Sequence, residues 1–364
     1  MSSSGPPQQQ SGPPYLPTTW TIGGIPDKSE DIPATSVFLA LYVLGAATHM
    51  AIFQINRRRG HKFIFSVLMF GFCMARIVTC SLRLANLEHP DNISLAIAAA
   101  IFVQAGVLLV FIINLLFAQR LVRAQHPHFG WSMGFRVVMI ALYVLVVLTL
   151  AMVITATVQS FYTLSTNTRR IDRDIQLYAG SYFFFVAVLP IPMVLLSLAV
   201  PRRSGTDKFG HGRFRTKIFV LLTASTLLAF GAGWKLGSNA MDPVQRRGNP
   251  VPWYYTKAPF YIVNFTVEVL VIALYALLRI DLRFHIPDGA RGPGAYSSGK
   301  RDTALSTDGE AGGAPKDVGD LRRPSRVYTE EDAYNFDYDD EARSPVESTM
   351  NKTLSHDEGK KEAV

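Results

Sequence analysis

The chain has 364 residues, with 36 Lys and Arg against 28 Asp and Glu, a formal net charge of +8 and two cysteines. The charge is unevenly placed: residues 288–364 carry 17 acidic and 11 basic side chains, so the remainder holds a net +14. Basic loops lying beside anionic lipid account for this distribution, which removes the charge argument for a nucleic-acid partner.

Residues 1–31 are rich in Ser, Pro and Gln, as in Pro7-Gln8-Gln9-Gln10, and are predicted to be a disordered segment. Seven apolar runs follow, near 35–55, 63–86, 95–118, 136–159, 176–200, 217–238 and 259–280. Each holds about 20 residues with almost no charge, the length a helix needs to cross a bilayer core of about 30 Å. The predicted fold is therefore all-α, a polytopic bundle of seven transmembrane helices over residues 32–287. A second disordered segment, rich in Gly, Ser, Asp, Glu and Lys, is predicted over 288–364. The polar ends pull the mean hydropathy down to +0.18. No basic-then-apolar leader is visible and no lipidation motif is expected, so the first span is expected to act as its own insertion signal.

Loop charge predicts orientation, because Lys and Arg mark the cytoplasmic side. The loops after spans 1, 3 and 5 carry twelve basic residues, led by Arg57, Arg58, Arg59 and Lys62 in the first. The N-terminal segment and the loops after spans 2, 4 and 6 carry seven. The N-terminus is thus predicted outside and the C-terminus in the cytoplasm. Asn92-Ile93-Ser94 is then a glycosylation sequon on the outer side, close against the third span.

Polar residues within the spans are the candidates for function, since ionisable groups there are costly and face the bundle or a wet cavity. His49 in span 1 is deep enough to matter, although a packing histidine explains it equally well. Span 2 carries Cys73, Arg76, Cys80 and Arg83 on one helical stripe, with Gly71 and Ala75 as a small-residue pair beside it. The two cysteines sit about 10 Å apart along the helix and cannot bridge each other. Arg83 and Lys235 lie near span ends and are predicted to snorkel toward the interface. Arg76 and Glu268 lie about 20 and 18 Å from the basic ends of spans 2 and 7, at matching depth and with opposite charge. They are predicted to form a buried ion pair, which makes spans 2 and 7 neighbours. Gln104 and Asn114 in span 3 and Asn264 in span 7 are candidates to extend the pair into a polar network. Pro190 and Pro192 are predicted to kink span 5. The aromatic loop Pro252-Trp253-Tyr254-Tyr255 reads as an interfacial belt or as a lid over a vestibule. In the tail, Ser325 after Arg322-Arg323-Pro324 and Ser344 before Pro345 are candidate phosphorylation sites.

These patterns exclude several chemistries. His49 is the only histidine within a span, too few for an intramembrane zinc or bis-haem centre. The last span has no lysine for a retinal, and no phosphate-binding glycine motif follows a strand. No catalytic residue, metal or cofactor is therefore expected.

Two stretches carry a resemblance. They run from His61-Lys62-Phe63-Ile64-Phe65 through Phe72-Cys73-Met74-Ala75-Arg76-Ile77, and from Phe111-Ile112-Ile113-Asn114-Leu115-Leu116-Phe117-Ala118-Gln119-Arg120 through Ala124-Gln125-His126-Pro127-His128. The chain resembles, over residues 35–286, an uncharacterised family of filamentous-fungal multi-span membrane proteins. That resemblance implies a membrane fold and no known activity. Seven spans with the N-terminus outside also look like receptors coupled to G proteins. However, span 3 ends Phe117-Ala118-Gln119-Arg120-Leu121 without an acidic-Arg-Tyr triplet, and span 7 has no Asn-Pro-x-x-Tyr motif. Three readings stay open: a plasma-membrane sensor or receptor, a carrier or lipid translocator, and a membrane scaffold. The sensor reading implies a cytosolic partner on the loops after spans 3 and 5 and the tail, and a ligand the sequence does not name.

Overall fold

A computed structural model describes residues 12–297, apart from 16, 61, 202–204 and 288. Seven helices are long and apolar enough to cross a membrane: α1 (Lys28–Arg58), α2 (Ile64–Glu88), α3 (Ile93–Gln125), α4 (Met133–Tyr162), α5 (Thr166–Ala199), α6 (Phe214–Ala240) and α7 (Lys257–Leu277). They correspond one to one with the seven apolar runs and form an up-and-down bundle. One end, here the N-face, gathers the N-terminal segment and the loops after α2, α4 and α6. The other, the basic face, gathers the loops after α1, α3 and α5 and the chain beyond α7.

Several helices outrun their apolar segments because their ends suit helix termini. α1 begins seven residues before the predicted run, with Glu30 and Asp31 in its first turn and Arg57 and Arg58 in its last. Acids at the start and bases at the end oppose the helix dipole. Side-chain oxygens of Asn92, Ser132 and Ser165 cap α3, α4 and α5.

α3 is the central element. In its second half, Leu108–Gln125, thirteen side chains are buried, on every side of the helix. It packs there against α2, α5 and α6, while α1 packs chiefly on α2 and α7 packs between α6 and α1, which closes the bundle. α4 is peripheral, and Val137, Val138, Ile140, Val144, Val147 and Leu148 are exposed along it. An apolar face of that size suits acyl chains, not water.

Three helices are interrupted. α3 breaks at Gly106–Val107, α5 at Leu189 before Pro190, and α7 contains a π-helical segment, Ile262–Thr266. The break in α5 is the predicted proline effect: Pro190 cannot donate to the carbonyl four residues back. The other two have no proline at the interruption.

Several expectations are corrected. Part of the segment 1–31 is ordered on the N-face. Trp20 is buried, its backbone N–H donates to the Val244 carbonyl at 2.9 Å, and its indole N–H donates to Asn249 O at 3.2 Å. The loop after α6 therefore has a partner strand of chain, and Thr19 and Gln245 form an isolated β-bridge. The start of the predicted tail is ordered too. Tyr296 is buried against Trp131 and Phe209, and the Asp207 carboxylate accepts the backbone N–H groups of Tyr296 and Ser297 at 3.2 and 2.8 Å. Burial pushes the Tyr296 phenol up, with nearby Arg123 and Arg120 opposing it. Gly71 is not a packing contact, as a Cβ there would meet nothing within 4 Å. The close approach in this region is at Gly45, where a Cβ would lie 3.0 Å from Ile272 and 3.3 Å from Cys73.

Candidate functional site

Arg76 and Glu268 form the predicted pair, and both are buried. Arg76 Nε donates to Glu268 Oε2 at 2.6 Å and Nη2 donates to Oε1 at 2.5 Å. This parallel two-bond geometry is the strongest one between a guanidinium and a carboxylate. Tyr42 of α1 adds a third donor to Glu268 Oε2 at 3.2 Å.

The break in α3 completes the coordination of Arg76. In a continuous helix the Val103 carbonyl would accept from the N–H of Val107. Here Arg76 Nη1 donates to the carbonyls of Val103 at 3.0 Å and Phe102 at 3.3 Å. A Cβ on Gly106 would lie 3.1 Å from the guanidinium carbon, tighter than an ordinary contact, so glycine suits this close approach of α3 to Arg76. The charge, the freed Val103 carbonyl, the Phe102 carbonyl that also accepts from Gly106 N–H, and the glycine therefore form one unit across α2, α3 and α7. The π-helical segment of α7 ends at Thr266, two residues before Glu268. Such bulges re-aim the side chains that follow them and recur at functional sites.

The remaining candidates divide. Asn114 is joined to two further helices, donating to Ser225 Oγ of α6 at 3.1 Å and accepting from the Tyr275 hydroxyl of α7. His49 is buried, with Nε2 3.3 Å from the Ile272 carbonyl, and ties α1 to α7. Asn264 donates to Phe260 O of its own helix at 2.9 Å, and so serves the π-helical segment instead of extending the network. Gln104 lines a cavity described below. Asn92 is exposed and its side chain caps α3. Ser325 and Ser344 lie outside the described residues.

Arg83 does not snorkel. It donates to Asp31 Oδ1 at 2.9 Å, and that carboxylate is buried. Tyr261 donates to the same oxygen at 2.6 Å, and Lys257 lies 3.5 Å from Oδ2. The Arg83 guanidinium stands 4.1 Å over the Phe260 ring. Asp31 thereby clamps α1, α2 and α7 at the N-face. Just outside it, the Ser29 hydroxyl holds the Asp27 carboxyl below its usual range; burial opposes this and Lys257 adds to it. Sequence reasoning missed this clamp because Asp31 lay in a segment predicted to be disordered. The signal available was Arg83 itself, a cation in a span with no partner assigned.

The basic face is held differently. Arg120 donates to the Phe284 carbonyl and Lys217 to the Phe209 carbonyl. Phe284 stacks on Phe117 at 4.2 Å, and Phe65, Tyr275 and Phe209 surround them. Asn56 donates to Asp281 at 2.7 Å, and Arg279 pairs with Asp281 at 2.9 Å. The hydrogen bond from Arg279 to Asp281 raises the guanidinium above its usual value, against the effect of burial.

One cavity of about 40 Å³ lies among α3, α4, α5 and α6, lined by the polar groups of Gln104, Gln176, Lys235 and Asn239. It occupies the N-face half, and Val107, at the break in α3, forms part of its wall. Among the described residues no group of three or more His, Cys, Asp or Glu could hold a metal ion.

The fold and the site define a class, a seven-helix bundle of membrane-spanning length with a fully buried ionic core. No protein-family model, curated protein or solved structure matches the chain.

Proposed function

We propose that the protein is a seven-helix membrane sensor, with its N-face outside the cell and its basic face toward the cytosol. One observation carries the reading: the interior polar space lies in the N-face half, while the basic half is filled by stacked aromatic side chains. A ligand entering that space would press on α3 at Gly106–Val107, one residue from the contact with Arg76. Arg76 joins α2, α3 and α7, so a shift there biases three helices together. The cytosolic readout belongs to the loops after α3 and α5 and to the tail, where the segment ending at Tyr296 docks. The plasma membrane is the site this orientation fits, and kinship with the fungal family belongs to the same proposal.

A carrier is the second reading. The interruptions in α3, α5 and α7 favour it, because broken helices around a central charged site are a feature of transporters. Cysteine accessibility separates the two. In a background lacking Cys73 and Cys80, cysteines at Asn239 and Gln176 are expected to react with a membrane-impermeant thiol reagent applied outside intact cells. Cysteines at Asn114 and Phe117 are expected to resist it from both sides. Labelling of Asn114→Cys from the cytosolic side would replace the sensor with a carrier. Protection at all four positions would indicate a scaffold.

A further inference from the structure

Lys235 is the one ionisable residue lining the cavity; its carbonyl accepts from Ser238 Oγ at 3.1 Å, and its ammonium makes no ion pair or hydrogen bond among the described residues. The carboxylate of Glu268 is taken by Arg76 through both oxygens. Asp172, buried one turn nearer the N-face than Gln176, is not among the lining residues and its oxygens make no hydrogen bond. An ammonium without a counter-ion inside a span is costly, and such residues usually mark a functional path. Around it stand three side-chain amides, Gln104, Gln176 and Asn239, whose N–H groups can donate to an anion's oxygens. The rest of the wall is apolar, including Phe111, Val153 and Phe183.

We propose that this cavity binds a small monocarboxylate whose oxygens face Lys235 and the amides and whose short alkyl end faces the apolar wall. The proposal rests on the sensor reading and names its ligand class. One ammonium fits one negative charge. The volume of about 40 Å³ corresponds to roughly three waters, which sets the scale at two or three carbons. The bound anion would supply the counter-ion that the protein itself does not give Lys235.

The test uses the full chain in nanodiscs of zwitterionic lipid, with sodium propionate as the probe and thermal unfolding as the readout. Propionate is expected to raise Tm in proportion to the logarithm of its concentration. Sodium chloride at equal ionic strength and the uncharged isostere propionamide are expected to leave Tm unchanged. Lys235→Gln should abolish the propionate shift, and Lys235→Arg should keep part of it. An equal shift with chloride or propionamide overturns the proposal, as does a full shift in Lys235→Gln. A shift produced only by adding phosphatidylglycerol to the nanodisc also overturns it, assigning the cation to a lipid headgroup. The comparison among salts needs no variant and stands even if Lys235→Gln fails to fold. Failure here with one-sided cysteine labelling intact removes the ligand class and leaves the sensor. Propionate binding with labelling from both sides keeps the site and makes the protein a carrier.

Discussion

The two halves of the bundle solve the same problem in opposite ways. Toward the N-face, cations meet carboxylates: Arg83 and Lys257 at Asp31, and Arg76 at Glu268, with one cation, Lys235, left facing a cavity. Toward the basic face, Arg120, Lys217 and Arg283 end on backbone carbonyls, Arg279 pairs with Asp281, and rings fill the space between helices. Carbonyl-bound cations and stacked rings leave little room between the helices, which makes a rigid base. Paired charges beside a cavity and a broken helix can be re-paired, which is what a responsive half needs.

The largest expected effect tests whether the ion pair is a unit. Arg76→Met alone strands Glu268 and should destabilise by about 3 to 5 kcal/mol, seen as loss of monodisperse protein in fluorescence-detected size exclusion. The double variant Arg76→Met with Glu268→Met should recover most of that loss. If it recovers nothing, Arg76 is held chiefly by the α3 carbonyls and not by Glu268. On the other half, Phe284→Ala empties a fully buried ring site and should cost about 3 to 5 kcal/mol in thermal unfolding. A tolerant Phe284 would mean that the basic half is not the rigid one.

Smaller effects sharpen the contrast. Gly106→Val places side-chain carbon against the guanidinium and should cost about 1 to 3 kcal/mol. Combined with Arg76→Met and Glu268→Met, the same change should cost much less, because the group it collides with is gone. Asp31→Asn keeps the shape of the N-face clamp but removes its charge, and should lower stability by about 1 to 3 kcal/mol, measured as Tm. The smallest loss is expected at Lys235→Gln, where no partner is lost and a costly charge is removed, so Tm without ligand should stay unchanged or rise. A large loss there would make Lys235 a strut instead of a ligand group.

Legibility follows the range of each interaction. The seven helices were readable because span length is a local property of composition. The stripe on α2 was readable because helical periodicity is local, and Cys73, Arg76 and Cys80 are all buried as it requires. The Arg76–Glu268 pair joins residues 192 apart in sequence, yet it was readable because depth and charge left few alternatives in an apolar setting. Asp31 was not, since Ser, Pro and Gln upstream masked the start of α1. Nor was the interruption of α3, because Gly106 looks like any small residue until its neighbour is known.

What the sequence by itself determined is the part governed by solvent: seven apolar lengths, their basic flanks, and the need of each buried charge for a partner. The tertiary structure alone decided which helices touch. That choice brings the carbonyls of Phe102 and Val103 to Arg76, gives Arg83 a partner at Asp31, seals the basic half with rings, and leaves Lys235 facing a cavity. The physical reason is that hydrophobicity drives a helix into lipid without choosing its neighbours. The neighbours are set by close packing and by pairing of the few polar groups, which depend on the whole bundle at once.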